Sequence, residues 1–382
     1  MAQPQVPWTN GGPLLPDSSN FVTASLLIAS PGNPIYSQLG HAAIRMECPV
    51  HNLDFCFSFE DDTRLIDFVK FFSGNSNARI IAIETTPFIN GYKTQGREII
   101  QYQLNLKLHE KQLLWKILDE SSLDDNDVKF NFLQNNCSSI LLEFLESALI
   151  EETISYNWGE QMNLTNGEHL RKLTQNSPWF EFIGITLLGT EADAIWGPKQ
   201  RISPKTLVEE LKRAIIVSKD GAIRPFISDG QVLVPMTDSN PESPLSPKLV
   251  FGILFIITFV ITILELLHIK TTHIFGCIID VLLLVFQFIT GVVLLYMSAF
   301  SGIFGLHWNW YLVVFNPIPL LIWIFFHKKP DFYKIYFVYS VLLILFILAT
   351  PLSEQLDLPH QLVTSAFALR CIYNYFIKRI SK

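Results

Sequence analysis

An α+β soluble domain followed by an all-α transmembrane domain of about five helices is the architecture the sequence predicts, and two observations carry it. Up to about Thr237, apolar stretches of strand length alternate with amphipathic helical stretches among mixed charges. From Leu249 onward the chain is a series of long apolar runs with very few charges. The overall figures, 49% hydrophobic and 16% charged residues, average over these two halves and conceal them. The resulting layout is a flexible lead over residues 1–20, a soluble domain over 21–237, a linker over 238–248 and a membrane domain over 249–382.

The lead is rich in Pro, Gly and Asn and has neither a basic n-region nor an apolar h-region, as in a mature chain whose export signal has been removed. Phe21–Ser30 is a strand candidate closed by the turn dipeptide Pro31-Gly32. In the stretch from Tyr36 to Met46, Gly40 lets the backbone pass close to a neighbour. His41 then opens a strand that carries His41, Ala43 and Arg45 on one face. The next strand puts Phe55, Phe57 and Phe59 on one face and Asp54, Cys56, Ser58 and Glu60 on the other, the pattern of a half-buried antiparallel strand. Helices are expected at 65–72 and 108–120, and strands at 79–85 and 97–106. Between residues 151 and 236 one helix is well marked, with Ser203 as its N-cap and Pro204 in its first turn. The segment LLGTEADAIWGPKQRI before it reads as loop.

The soluble half is organised around FNFLQNNCSSILLEFLESAL, Phe130 to Leu149. A polar knot, Gln134 to Ser139, runs into Ile140, Leu141, Phe144, Leu145 and Ala148, the spacing of a helix with one buried face. With Asn136 or a neighbour as N-cap, Cys137 falls in the first turn. There the positive end of the helix dipole favours thiolate over thiol, and the unpaired N–H groups can hold an oxyanion. Cys137 is therefore the candidate nucleophile; the plainer alternative is a small buried side chain at a helix start. The backbone N–H of Cys137 and the Asn136 side chain are the candidate oxyanion donors.

A nucleophilic thiol needs a base within hydrogen-bond reach, itself oriented by a third polar group. Of His41, His51, His109 and His169, the first is preferred because it follows a glycine at a strand start. Ser58 and Glu60 are candidates for the orienting group, and Tyr36, Gly40 and Arg45 for substrate contacts. An ion pair is an equal reading of Arg45. No His/Cys spacing matches a zinc site, so no metal or other cofactor is expected. The five cysteines are too few and scattered for a disulfide framework. Cys48 and Cys56 could bridge two strands of a hairpin, but they read better as unpaired thiols. A net charge of −7 with no basic block argues against a nucleic-acid partner.

Runs of membrane-spanning length lie at 249–267, 274–300, 310–326, 333–349 and 362–377, each near the ~20 residues that cross hydrocarbon. Lys270, Lys328, Lys329, Lys334, Lys378, Arg379 and Lys382 fall on one side of these runs, and the alternate loops hold no Lys or Arg. The C-terminus is thus expected inside and the soluble domain outside the cytoplasm. Asp280 and Arg370 lie within spans, both about 9–10 Å from the same face at 1.5 Å per residue. Ionisable groups at that depth are expensive, so the two are expected to pair as a structural clasp. His307, Asn309 and Asn316 surround a Pro317/Pro319 break near the outer face, where they could line a head-group cavity.

GHAAIR (Gly40 to Arg45), GRE (Gly96 to Glu98), QLNL (Gln103 to Leu106) and NNC (Asn135 to Cys137) together resemble the periplasmic domain of Lnb-type lipoprotein N-acyltransferases of Bacteroidetes. The resemblance extends to LGTEADA, to SPKTLVEEL and to the membrane stretch HWNWYLVVFNPIPLL (His307 to Leu321), and so covers about residues 21–375. The His-before-Cys order is also similar to the circularly permuted, papain-like thiol fold of lecithin:retinol acyltransferase-like proteins, relatives of the NlpC-type peptidases. The chain departs from the family at Phe130 and Phe132, where tyrosines are expected, and at Ile140, where an arginine is expected. The resemblance implies an inner-membrane enzyme with its thiol domain in the periplasm. It would move an acyl chain from a membrane phospholipid, through a Cys137 thioester with His41 as base, to the N-terminal amine of a lipidated apolipoprotein. Other readings open to the sequence are a thiol phospholipase or amidase, a cell-wall peptidase, and a non-enzymatic membrane assembly factor.

Overall fold

The structure, a computed structural model, describes residues 21–61, 68–124, 127–157, 164–195, 197, 203–237, 245–267, 269, 271–329, 331–349 and 357–380. The lead, the start of the 65–72 helix, most of the linker and the loop after residue 349 lie outside the described residues. Two compact units emerge: Met1–Asn163 with Trp196–Pro241, and Leu164–Ile195 with Glu242–Lys382.

In the first unit, Thr23–Ala29 (β1) pairs antiparallel with His41–Cys48 (β2), Ala29 opposite His41. Gly40 makes this entry possible. Its φ is +86°, and a Cβ there would stand 2.7 Å from the Ala29 carbonyl oxygen. Leu53–Asp61 (β3) pairs with β2, so Arg45 faces Cys56 and Ala43 faces Ser58. Phe68–Phe72 (α1), Asn77–Glu84 (β4), Thr85–Thr94 (α2), Ile99–Gln103 (β5), Leu108–Leu123 (α3), Val128–Lys129 (β6), Cys137–Ser147 (α4) and Glu152–Ser155 (β7) follow. The sequence reading missed α2.

After the excursion described below, the unit closes with the helix Pro204–Arg213 and the strands Ile215–Ser218, Ile223–Pro225 and Gln231–Val234. The last of these edges a seven-stranded antiparallel sheet in which it is followed by β5, β1, β2, β3, β4 and β6. Glu152–Ser155, Ile215–Ser218 and Ile223–Pro225 form a second, three-stranded sheet.

Both faces of the large sheet are covered. Leu26, Ile44, Phe57 and Phe59 pack with Trp115, Leu141 and Leu145 of α3 and α4. Ala43, Cys56 and Ile99 pack on the other face with Phe88 of α2. The polar face expected for β3 is therefore buried, with Cys56 and Ser58 fully covered, because the missed helix α2 lies over it. Cys48 and Cys56 are both unpaired and buried, one in each core.

The excursion is Asn166–Leu173 (α5), Pro178–Leu188 (α6) and a 3-10 turn over Gly189–Asp193. It folds with the second unit, which departs from the expectation of one soluble domain over 21–237. The apolar inner residues of α6 explain why: Phe182 stacks on His360 at 4.3 Å and lies 5.0 Å from Phe251. LGTEADA is thus partly helical and not simple loop. With Pro204–Arg213 as α7, the unit continues through Pro247–Leu266 (α8), Thr272–Phe300 (α9), Ile318–Phe326 (α10), Tyr333–Leu348 (α11) and Leu358–Ile380 (α12).

Among the described residues α8 and α9 are each long and apolar enough to cross a bilayer, and a third crossing results if Gly305–Val313 and Ile318–Phe326 count as one span. These two pieces meet at 46°, and α11 is a shorter apolar helix of 16 residues. The break has a covalent cause, since Pro317 has no N–H to offer the Val313 carbonyl. The Tyr339 hydroxyl stands 3.0 and 2.9 Å from the Val313 and Val314 carbonyl oxygens, and the Gln287 amide reaches Val314. Backbone groups freed in the membrane are in this way satisfied again.

Candidate active site

Cys137 is the first residue of α4, and the cap before it is Asn136. The Asn136 carboxamide oxygen accepts from the backbone N–H of Ser138 (2.8 Å) and Ser139 (3.1 Å), while the Ser139 hydroxyl accepts from Asn136 N–H at 2.9 Å. This reciprocal box fixes the helix start and with it the sulfur. The Asn136 amide nitrogen donates to the Phe132 carbonyl at 3.0 Å. Its side chain is therefore a cap and a turn clamp, which does not fit the oxyanion-donor role expected of it.

The structure brings four of the sequence candidates together: Cys137, His41, Ser58 and Glu60. Cys137 and His41 hydrogen-bond side chain to side chain. His41 Nε2 lies 2.6 Å from Ser58 Oγ, Ser58 donates to Glu60 Oε1 at 2.8 Å, and Glu60 itself is 3.8 Å from Nε2. Because the single Ser58 proton goes to Glu60, Ser58 Oγ accepts from Nε2–H. That tautomer leaves Nδ1 for the thiol.

The electrostatics agree with this geometry. Burial alone would push the Cys137 thiol up. The neighbouring His41 charge and hydrogen bond and the Ala42 backbone N–H lead the effects that outweigh it, and the thiol lies below its ordinary range. For His41, burial opposes the charged form and Arg97 repels it, but Cys137 and then Glu60 favour it more strongly, so the imidazole is raised. The two shifts run in the direction that favours a thiolate–imidazolium pair. Cys137 as a residue is neither fully buried nor fully exposed.

Arg45 lies on the sheet away from this pair. Its Nε and Nη2 hold the two Asp54 oxygens at 2.8 Å each, and Nη1 donates to Gln101. The ion-pair reading of Arg45 therefore describes it, and its fork is already committed. Tyr36 is 45% exposed on a 3-10 turn just before Gly40. His51 and His109 are exposed, and His169 is buried in α5 of the other unit.

Two residues near His41 escaped the sequence reading as site residues. The Tyr92 ring is near-parallel to the imidazole, 18° and 6.4 Å between centroids. The Arg97 guanidinium lies over the other aromatic partner of that stack, 4.7 Å from the Tyr92 centroid. Pro87 in the first turn of α2 was the available signal for the helix that carries Tyr92. Among the described residues no group of three or more His, Cys, Asp and Glu is arranged to hold a metal ion.

In the second unit Arg370 meets Asp280, Nε to Oδ1 at 2.6 Å and Nη2 to Oδ2 at 3.1 Å. A second carboxylate, Glu265, takes Nη1 at 2.6 Å, and Thr262 and Asn374 complete the cluster. Asn309 is buried and donates to the Thr186 carbonyl at 2.8 Å while its oxygen caps Tyr311 N–H. It joins the excursion to the bent segment, which is a different task from lining a head-group cavity. His307 Nδ1 bonds the Ser298 carbonyl at 2.8 Å. Asn316 bonds Val313 and Ile318 within the break and the Tyr339 hydroxyl of α11. It also borders a cavity of about 930 Å³ with mostly apolar walls between α9, α10, α11 and α12, which Asp280 and Arg370 border too.

Comparison with known proteins bears on both units. Residues 17–171 match the family model described as the Lnb N-terminal periplasmic domain, and residues 238–381 match that of the Lnb transmembrane domain. No curated protein matches the chain, and no solved structure does. This is accordingly a membrane protein with a periplasmic soluble domain. With both family domains present, in order and over most of its length, the chain belongs to the Lnb family.

Proposed function

We propose that the protein is an apolipoprotein N-acyltransferase that works by a Cys137 thioester. The observation that carries this reading is the hydrogen-bonded Cys137–His41 pair, with the thiol held low and the imidazole held high, in a chain with the two Lnb domains.

In the first half-reaction the Cys137 thiolate attacks the carbonyl carbon of a membrane phospholipid ester. The tetrahedral intermediate collapses by breaking the ester C–O bond, and His41 gives its proton to the departing glycerol oxygen. The Cys137 backbone N–H, at the positive end of α4, is our candidate donor to the oxyanion. In the second half the α-amine of a lipidated N-terminal cysteine attacks the thioester. His41 takes the amine's proton, an amide forms, and the thiolate leaves. Ser58 and Glu60 hold the imidazole in the tautomer that both halves need. The membrane unit supplies lipid docking, with its C-terminus in the cytoplasm.

The test is labelling of the full chain with a phospholipid bearing a tagged acyl chain. A hydroxylamine-sensitive adduct lost in Cys137→Ser supports the thioester, and its absence from the wild type overturns the reading. Addition of a diacylglyceryl-cysteine peptide then gives an amide-linked third chain. Release of free fatty acid alone assigns the protein to the hydrolases instead.

A further inference from the structure

Arg97 stands out among the charged groups of the first unit because it is buried, 7% exposed, with one nitrogen unpartnered. Its Nε donates to the Ser30 carbonyl at 2.7 Å and Nη1 to Gln95 Oε1 at 3.3 Å, both neutral acceptors. No carboxylate stands within ion-pair distance of it among the described residues, and Nη2 has no hydrogen-bond partner there. A guanidinium withdrawn from water without a counter-charge is costly, and proteins seldom retain one without a use for it. Every other strongly buried arginine interaction described above is balanced by carboxylates, as at Arg370.

Its location supplies the use. The guanidinium covers Tyr92, whose ring stacks on the His41 imidazole. The turn that opens onto Gly40 and His41 lies against it: a Cβ on Gly32 would stand 3.1 Å from Arg97 Cδ and 2.7 Å from Ser37 Oγ. A planar fork with an unused N–H, one aromatic ring away from the His41 imidazole, matches an oxyanion of a phosphoester.

We propose that Arg97 is the anion-binding residue of this site and holds the phosphodiester of the acyl donor while its ester is presented to Cys137. This rests on the thioester reading above for the identity of the donor. The Pro31–Ser37 turn, which packs against Arg97 at Gly32, has to give for the phosphate to reach Nη2. Neutral esters would acylate Cys137 without this contact, so Arg97 sets donor preference.

The experiment compares acylation of Cys137 in the full chain by a short-chain phosphatidylglycerol and by p-nitrophenyl hexanoate, which has no phosphate. Arg97→Gln is expected to lower the phospholipid-to-nitrophenyl ratio by about tenfold or more, as loss of a charge-assisted hydrogen bond implies. Arg97→Lys is expected to keep an intermediate ratio. In the wild type, sn-glycerol 3-phosphate and inorganic phosphate should both slow acylation by the nitrophenyl ester if any phosphate suffices. Competition by glycerophosphate alone assigns the site to the lipid head group. An unchanged ratio in Arg97→Gln, or no competition by either anion, overturns the proposal. A wild type that accepts the nitrophenyl ester but no phospholipid sinks the donor assignment, and anion competition then still decides whether Arg97 binds phosphate.

Discussion

His41 Nε2 and Ser58 Oγ are 2.6 Å apart, and the Ser58 proton is directed away from the imidazole to Glu60 at 2.8 Å. The hydroxyl is thereby fixed as an acceptor, and the imidazole nitrogen facing it is fixed as a donor. Ser58→Ala removes that acceptor and leaves Glu60 at 3.8 Å, beyond a direct bond. Acylation of Cys137 is expected to slow by about ten- to a hundredfold, the weight of one hydrogen bond to a charged group. Stopped-flow acylation with a nitrophenyl ester measures it, and a rate within twofold of wild type would exclude the relay.

The pH dependence of thiol reactivity follows from the opposed shifts at the pair. Cys137 is held below its ordinary range by His41 against the pull of burial, so it is anionic at a pH where an ordinary thiol is protonated. Alkylation by iodoacetamide is expected to begin below the usual ~8.5. His41→Ala removes the charge and the hydrogen bond but leaves burial, so the onset should move up past that value. The two apparent constants belong to the pair as a unit. A His41→Ala profile that overlays the wild type would mean that the helix terminus alone activates the sulfur.

How much of this site the sequence disclosed depended on whether the signal was local. Cys137, its cap and the helix behind it lie within one short stretch, and strand alternation put Ser58 and Glu60 on the His41 side. Tyr92 and Arg97 were hidden because nothing in their own neighbourhood points to His41, which they reach only through sheet pairing and the packing of α2. The excursion 164–195 was hidden for a related reason. Its apolar residues have no periodicity that distinguishes a soluble core from a membrane unit, and only Phe182 against Phe251 and His360 reveals the choice. Arg370 and Asp280 were legible from the cost of charge in lipid. Glu265 was overlooked although that rule applies to it equally.

That overlooked carboxylate changes what substitution in the membrane cluster should do. Asp280→Asn leaves Arg370 paired with Glu265, which is 2% exposed on its side chain. Arg370→Met instead removes the guanidinium that joins both carboxylates, leaving Asp280 without its partner and Glu265 with His273 alone, at 3.3 Å. Breaking a buried pair from that side costs about 3–5 kcal/mol. Thermal denaturation in detergent is expected to rank wild type above Asp280→Asn, and Asp280→Asn well above Arg370→Met. Equal melting of the two variants would remove Glu265 from the account.

A second buried charge cluster lies in the soluble unit, where Arg224 bridges Glu110 (2.8 Å) and Glu152, and Lys107 reaches Glu152 at 2.6 Å. The Glu110 side chain is fully buried and that of Glu152 nearly so. Burial raises Glu110, with Glu152 adding to it, whereas the Arg224 hydrogen bond above all holds Glu152 low. The signs therefore oppose each other. Glu152 contributes stability above the ordinary carboxylate range, and that contribution fades as pH falls. Ionised Glu110 costs stability above that same range, and protonation removes the cost. In Arg224→Met the favourable share goes and the cost remains, so the variant should be less stable by about 3–5 kcal/mol near neutral pH. Its deficit relative to wild type should shrink toward pH 5 as Glu110 takes up a proton. Urea denaturation of the full chain followed at pH 5 and pH 7.5 checks both signs, and a deficit that widens on acidification would overturn the assignment of Glu110 as the destabilised carboxylate.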